Sequence, residues 1–202
     1  MNYAAVRDRT LMLLNQYSVA GVPVADTYNN QQDYLNRIPA LVDDAVMEIA
    51  TTARKIPAVV ELDSLEREEG EKETRYTLPA DFFQLVSGSL VTGESGETVH
   101  TNLYTLEGRK YLIVPRGTEN CRLTYYRYPV PLGDAPADGE ELDNEPDTHY
   151  AVPYYAAAFL AGGDDPWLSG ILYNKFEDKL RKLSPGRTAE LHPAGDSYGF
   201  FG

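Results

Sequence analysis

The sequence has few of the residues on which most catalytic and metal sites depend. Cys121 is its single cysteine, and it has three histidines among 202 residues. One cysteine cannot form a disulfide within the chain, which argues against a small secreted scaffold. No apolar run approaches the roughly 20 residues that span a membrane, and none near Met1 is long enough for a signal-peptide core. We therefore expect no membrane association and a protein made and used in a reducing cytoplasm, or inside something assembled there.

Basic residues are also scarce. The chain has 18 Lys and Arg against 31 Asp and Glu, which gives a formal net charge of -13. This balance argues against the nucleic-acid backbone as a ligand, because phosphate binding needs clustered Lys and Arg. It is compatible with DNA passing nearby without being held, since a negative wall repels phosphates.

The pattern required for nucleophilic catalysis is missing. Such a site needs a base beside a Ser or Cys nucleophile. His100, His149 and His192 fall in predicted loops or at element boundaries, and no recognisable motif surrounds Cys121. We predict no catalytic residue and no cofactor.

An acidic segment, Gly133 to Thr148, is the strongest candidate for metal or acid–base chemistry. Its carboxylates could bind a hard cation or pair for glycoside hydrolysis; they include Asp138, Glu140, Glu141, Asp143 and Glu145. The spacing does not match an EF-hand, so we interpret the segment as a solvated loop and predict no metal site. A small hydrolase of cell-wall glycan and a calcium-binding host module remain alternatives.

Helical periodicity occurs at both ends of the chain. We predict helices over 2–17, 32–55, 150–161 and 166–183 from apolar residues at helical spacing. Pro39 predicts a kink or the first turn of a second helix. Asp165 is predicted to cap the last helix, and Pro166 suits its first turn.

The middle of the chain has the alternation of β-strands. We predict strands over 59–62, 76–78, 85–92, 111–114 and 121–128. Residues 66–72 (EREEGEK) are interpreted as a solvated turn. Because the connecting loops are too short for crossover helices, antiparallel pairing is expected.

This order of elements predicts an α+β fold. In it the N-terminal and C-terminal helices form a helical bundle, with an inserted antiparallel β-domain and an extended C-terminal tail. The predicted divisions are 1–58 for the first helices, 59–132 for the β-domain, 133–149 for an acidic linker, 150–183 for the last helices and 184–202 for the tail.

Three stretches, taken in order, resemble the head-to-tail connector (adaptor) proteins of tailed bacteriophages. They are Tyr76 to Val86 (YTLPADFFQLV), Leu123 to Leu132 (LTYYRYPVPL), and Glu145-Pro-Asp147 followed by Tyr154 to Leu160 (YYAAAFL) and the amphipathic helix Trp167 to Leu183. The helix containing Tyr34 to Ile38 agrees with this resemblance, which covers roughly residues 1–183.

The resemblance implies a structural virion protein of the neck, assembled in the bacterial host cytoplasm. Its subunits would form a closed homo-oligomeric ring, usually a dodecamer, beneath the portal protein. The ring would bind portal on one side and tail or neck proteins on the other, and double-stranded DNA would pass through without specific binding. A neck or tail completion protein on the tail side is the alternative within the same virion.

Two groups of residues are candidates for contacts with these partners. Members of the family commonly reach the portal through an extended C-terminus, and the tail of this chain carries apolar anchors at Leu191, Tyr198, Phe200 and Phe201. For packing between subunits we predict small and aromatic residues of the last helices, namely Ala151, Tyr154, Tyr155, Ala157 and Trp167.

Overall fold

The chain folds as an α+β protein, in agreement with the prediction. The computed structural model describes residues 1–14, 30–92, 96–99, 101–118 and 120–183. Within these residues there are four α-helices and seven β-strands, and the strands form two antiparallel sheets.

The helices lie close to their predicted positions. Their bounds are α1 Tyr3–Leu13, α2 Asn30–Thr52, α3 Val152–Ala161 and α4 Pro166–Lys182. Asn2 caps α1 by accepting a hydrogen bond from the Ala5 amide at 3.1 Å. Asp165 caps α4 as predicted, since its carboxylate accepts from the Leu168 amide at 2.9 Å.

Helix α2 continues through Pro39 and does not divide into two helices. An interior proline removes one backbone hydrogen bond and costs about 3 kcal/mol. Ile38 and Val42, on either side of it, are both fully buried. Burying two such side chains contributes about 1.5–3 kcal/mol each, which is enough to hold the helix together across the proline.

The seven strands include the five that were predicted. Their bounds are β1 Ile56–Glu61, β2 Arg67–Glu69, β3 Glu73–Thr77, β4 Phe82–Thr92, β5 Asn102–Leu106, β6 Arg109–Pro115 and β7 Cys121–Arg127. One sheet has the order β1-β7-β4 and the other the order β2-β3-β6-β5. Strands β2 and β5 were not predicted, and β2 lies within the stretch that had been interpreted as a solvated turn.

The described residues separate into two compact units. One unit comprises the residues up to Lys55 and those from Pro129 onward, and the other comprises Ile56–Tyr128. The helical unit has a core to which all four helices contribute. The β unit has a core of its own, formed by side chains of both sheets.

The Leu78-Pro-Ala-Asp-Phe82 motif forms the turn between β3 and β4. Hydrogen bonds and a ring contact join this turn to β7 and the residue after it. Asp81 accepts a hydrogen bond from the Tyr125 hydroxyl at 3.1 Å, and its carbonyl accepts from the Tyr128 amide at 2.7 Å. Phe82 stacks on Tyr125, with the ring centroids 5.7 Å apart. Burial and then the Asp81 carboxylate raise the pKa of Tyr125 to about 12. The motif therefore has a structural role inside the β unit.

We expect Asp81→Ala and Tyr125→Phe each to lower the free energy of unfolding by about 1–3 kcal/mol, because each leaves a polar group without its partner. The double variant should cost about 1 kcal/mol less than the sum of the single variants. Urea unfolding of the four proteins measures this coupling.

The matched control is Tyr104→Phe, which removes the hydroxyl of an exposed tyrosine in the same unit and should change the stability by less than about 0.5 kcal/mol. Additive effects of the Asp81 and Tyr125 substitutions would show that their hydrogen bond does not stabilise the turn.

Candidate interaction surfaces

The two alanines predicted to pack between subunits lie inside the subunit itself. Ala151 is 2% exposed and Ala157 is 0% exposed, and both belong to the core of the helical unit. Such side chains have no surface to offer to a second copy. Their small size instead allows the helices of one chain to approach each other closely, so they are removed from the candidate interface.

The tyrosines of the predicted set lie at the edge of this core. Tyr155 is half-buried and packs on Phe159, Tyr173 and Phe176 at centroid distances of 4.6, 6.4 and 5.1 Å. Phe176 is buried, whereas Phe159 is 47% exposed and Tyr173 is 36% exposed. These rings therefore form a continuous aromatic cluster that runs from the core to the surface.

Tyr154 is also half-buried, but it is covered by a neighbour on α4. The Lys179 amine lies over its ring, 4.9 Å from the centroid. This cation–π contact joins α3 to the last turns of α4. Tyr154 therefore contributes to packing within the subunit and offers only part of its ring to a partner.

Trp167 is the most exposed large apolar side chain among the described residues, at 76%. It lies in the first turn of α4, directly after the Asp165 cap and Pro166, so the backbone that carries it is fixed. Ile171 follows one turn later and is 36% exposed. An indole held on a rigid helix end has the properties of an interface anchor.

Strand β5 is an exposed sheet edge that the sequence analysis missed. All five of its residues are exposed, and its apolar side chains, Leu103, Tyr104 and Leu106, lie on both of its faces. It pairs with β6 on one side only within the described sheet. It has none of the charged or proline residues that usually protect an edge, whereas β2 at the opposite edge is entirely charged.

The acidic segment is attached to the helices and is not simply a solvated loop. Arg7 of α1 forms an ion pair with Asp138 at 2.6 Å, and the Tyr3 amide donates to the Glu140 carbonyl at 2.7 Å. Asp143 accepts from the Val130 amide at 2.6 Å. Leu142 is buried in the core of the helical unit. Most charged side chains of the acidic segment are exposed at the surface, but these contacts fix the position of its backbone.

Both ends of the acidic segment are fixed to α2 or to the residues just beyond it. Arg54, just beyond α2, forms ion pairs with Asp147 at 3.0 Å and Glu145 at 3.6 Å. Asp43 of α2 accepts hydrogen bonds from the amides of Leu132 and Gly133 at 2.8 and 3.1 Å. These contacts give several of its carboxylates a structural role.

His149 closes the acidic segment and is 4% exposed. Its Nε2–H donates to the Asn144 carbonyl at 3.0 Å, and its Nδ1 accepts from the amino group of Met1. Burial lowers the pKa of His149, and the positive Met1 amine acts in the same direction, while the hydrogen bond to the Asn144 carbonyl and the charges of Glu141 and Asp147 oppose it. The imidazole is therefore held in its neutral form.

Neither a metal-binding cluster nor a membrane-spanning helix is found in the part of the chain that the structure describes. No three or more His, Cys, Asp or Glu side chains there are grouped so that they could hold a metal ion. None of the described helices has the length and apolarity needed to cross a bilayer.

The predicted portal-docking residues cannot be placed. Leu191, Tyr198, Phe200 and Phe201 lie outside the described residues, as do His100 and His192. They remain predictions from the sequence.

We predict that the protein loses stability in mild acid through His149. Its pKa in the folded state lies below the unfolded value of about 6.5, so the unfolded chain binds the proton more readily. The stability contributed by neutral His149 is therefore complete above about pH 6.5 and is lost as the pH falls below that value toward the folded pKa. Urea unfolding at pH 7.5 and at pH 5.5 measures the loss.

His149→Gln is the matched variant, because its amide can still donate to the Asn144 carbonyl but does not titrate. Its stability should change less between the two pH values than that of the wild type. Equal changes in both proteins would contradict the assignment to His149.

Comparison with known proteins agrees with the resemblance noted in the sequence. The family model described as SU10 adaptor protein matches residues 1–195, which is nearly the whole chain. No curated protein matches the chain. The matched family is a family of phage head-to-tail adaptor proteins. The chain therefore belongs to the SU10 adaptor protein family.

Proposed function

We propose that this chain is a head-to-tail adaptor subunit of a phage virion, with a structural and not an enzymatic role. Copies of it form a ring beneath the portal and join the DNA-filled head to the tail. The observation that carries this proposal is the family match over residues 1–195. In the virion its partners are further copies of itself, the portal protein and tail or neck proteins.

The proposed subunit is a helical bundle with an inserted β-domain. A closed ring uses heterologous contacts, so each subunit must carry two different complementary surfaces. The described residues offer more than one surface of this kind. The helical unit exposes Trp167 and the aromatic cluster around Tyr155, and the β unit exposes the edge strand β5. The β edge is suited to strand addition by a neighbouring protein.

The charge of the chain supports a role beside a DNA channel. A net charge of -13 repels phosphates, so DNA can slide past the ring without being held. Some of the basic residues in the described segments are moreover paired with carboxylates, as Arg7 is with Asp138 and Arg54 with Asp147. DNA is therefore proposed as a passing polyanion and not as a ligand.

The contacts of the acidic segment favour this structural role over glycan hydrolysis. Asp138 is paired with Arg7, and Asp143 binds a backbone amide. A hydrolase needs two carboxyl groups facing one substrate at a defined separation. Replacing Asp138, Glu140, Glu141 and Asp143 with Ala should abolish cell-wall hydrolysis if the segment were catalytic, and should only reduce stability on our account.

We predict that the tail, residues 184–202, docks on the portal through Leu191, Tyr198, Phe200 and Phe201. Deleting residues 184–202 should leave the helical and β units folded and abolish binding to purified portal. Circular dichroism and urea unfolding check the fold, and co-sedimentation with the portal checks binding.

A full-length variant with Leu191, Tyr198, Phe200 and Phe201 replaced by Ala separates apolar anchoring from tail length. It should lose binding to the same extent as the deletion. Portal binding unchanged in both variants would contradict the tail-docking prediction. If neither those variants nor the wild type binds portal, while the wild type binds tail proteins, the protein belongs on the tail side of the neck.

A further inference from the structure

Helix α4 carries an exposed apolar surface on each of two opposite sides. One side, which we call the Trp face, consists of Trp167, Ile171 and Lys175, which follow each other at intervals of four residues. Residues at this spacing lie in line along a helix. Trp167 and Ile171 supply its apolar area and Lys175 extends it toward the C-terminal end.

The other surface, which we call the aromatic face, consists of Tyr155 and Phe159 of α3 together with Tyr173 of α4. Their rings are in mutual contact, with centroids 4.6 to 6.4 Å apart. Tyr173 is two residues after Ile171, so the two side chains point roughly 200° apart around α4. The Trp face and the aromatic face therefore point in different directions from the same rigid helix.

The charges at the C-terminal end of the Trp face and around the aromatic face are of opposite sign. The aromatic face is bordered by exposed carboxylates, Asp44 and Glu48 on α2 and Glu177 one turn after Tyr173. The pKa of Tyr155 is raised, first by burial and then by the negative charges of Asp44 and Glu48, which is consistent with their lying close to this face.

At the C-terminal end of the Trp face, Lys175 is followed by Lys182, with Asp178 between them. Lys182 pairs with Asp178 at 2.6 Å, and Arg181 lies 3.6 Å from the same carboxylate. The C-terminal end of the Trp face is therefore positive, whereas the exposed Asp164 and Asp165 lie at its N-terminal end and carboxylates border the aromatic face.

We propose that the Trp face of one copy of this chain docks on the aromatic face of a second copy. Trp167 packs against the exposed rings of Phe159 and Tyr173, and Lys175 lies beside the carboxylates that border them. The two faces differ and lie on opposite sides of one helix. Each copy can therefore bind one neighbour through its Trp face and another through its aromatic face. The contact is heterologous, as a ring requires. This inference rests on the proposed function and adds to it the surfaces that meet.

Oxidative cross-linking tests which faces meet. The double variant Trp167→Cys/Phe159→Cys places one thiol on each face, and copper phenanthroline joins thiols whose Cα atoms come within about 7 Å. The native Cys121 is 0% exposed and takes no part. We expect a ladder of dimers, trimers and larger species in the full-length protein, incubated alone and with the portal at more than ten times the protein concentration that the wild type needs for assembly, because replacing Trp167 weakens the contact. Each single variant should give no ladder, whereas an equimolar mixture of the two should give dimers only.

The matched control is Met12→Cys/Phe159→Cys, because Met12 is an exposed apolar side chain on α1 outside both faces. It should give no ladder. Dimers alone in the Trp167/Phe159 double variant, with nothing larger, would indicate a symmetric contact and overturn the proposal.

Charge reversal tests the polarity of the contact. Lys175→Glu and Glu48→Lys should each raise the protein concentration needed for half-maximal assembly by about threefold to tenfold, which is the effect of losing about 0.6–1.4 kcal/mol at a contact. The double reversal should restore most of the wild-type value. Trp167→Ala should raise it by tenfold or more, because a central Trp is a typical anchor of an interface.

These outcomes separate the inference from the proposed function. A portal-bound oligomer that gives no ladder, and whose charge variants are unaffected, would overturn the proposed contact and leave the adaptor role intact. A chain that stays monomeric and ignores the portal would overturn both.

Discussion

The helical unit depends on the burial of α3. This helix is almost entirely apolar, and seven of its ten residues are buried, so it must be surrounded on most sides. Its alanines, Ala156, Ala157 and Ala158, are small enough for other helices to approach closely, and α1, α2 and α4 all pack against it. Because α3 is enclosed in this way, α4 is held with one side inward and two sides toward solvent. The exposed positions of Trp167 and Tyr173 follow from that constraint.

The acidic segment shows how a strongly charged stretch can have a fixed course. Its carboxylates and carbonyls bind partners on α1 and α2, through Arg7, Arg54 and the Tyr3 amide. An ion pair with a largely exposed carboxylate, such as that of Arg7 with Asp138, contributes little alone, roughly 0–1 kcal/mol, but Leu142 and His149 anchor the same segment by burial. The excess negative charge thus remains at the surface.

Elements with strong local signals could be predicted from the sequence, and those with weak local signals could not. Asp165 and Pro166 predicted the start of α4 because a cap depends on neighbouring residues. Strand β5 was missed because its connection to β6 is a Glu107-Gly108 turn, where both residues have positive φ, of 49° and 80°. Asn-Gly or Asp-Gly would have signalled such a hairpin more clearly.

The role of small residues was also beyond prediction from the sequence. Ala151 and Ala157 suit close packing equally well within a subunit or between subunits, and only their burial in the structure distinguishes the two. Similarly, Asp138 was interpreted as a solvated charge because its partner, Arg7, is 131 positions away in the chain. Among the predicted packing residues, Trp167 and Tyr155 remain on the candidate surface.

The measurement that tests the adaptor role most directly is light scattering after gel filtration, on the protein alone and after mixing with its portal. Our account predicts a large complex of fixed stoichiometry with portal, whether the free protein is a monomer or a ring, and the mass of that complex gives the copy number. A protein that elutes as a monomer in both samples would contradict the account.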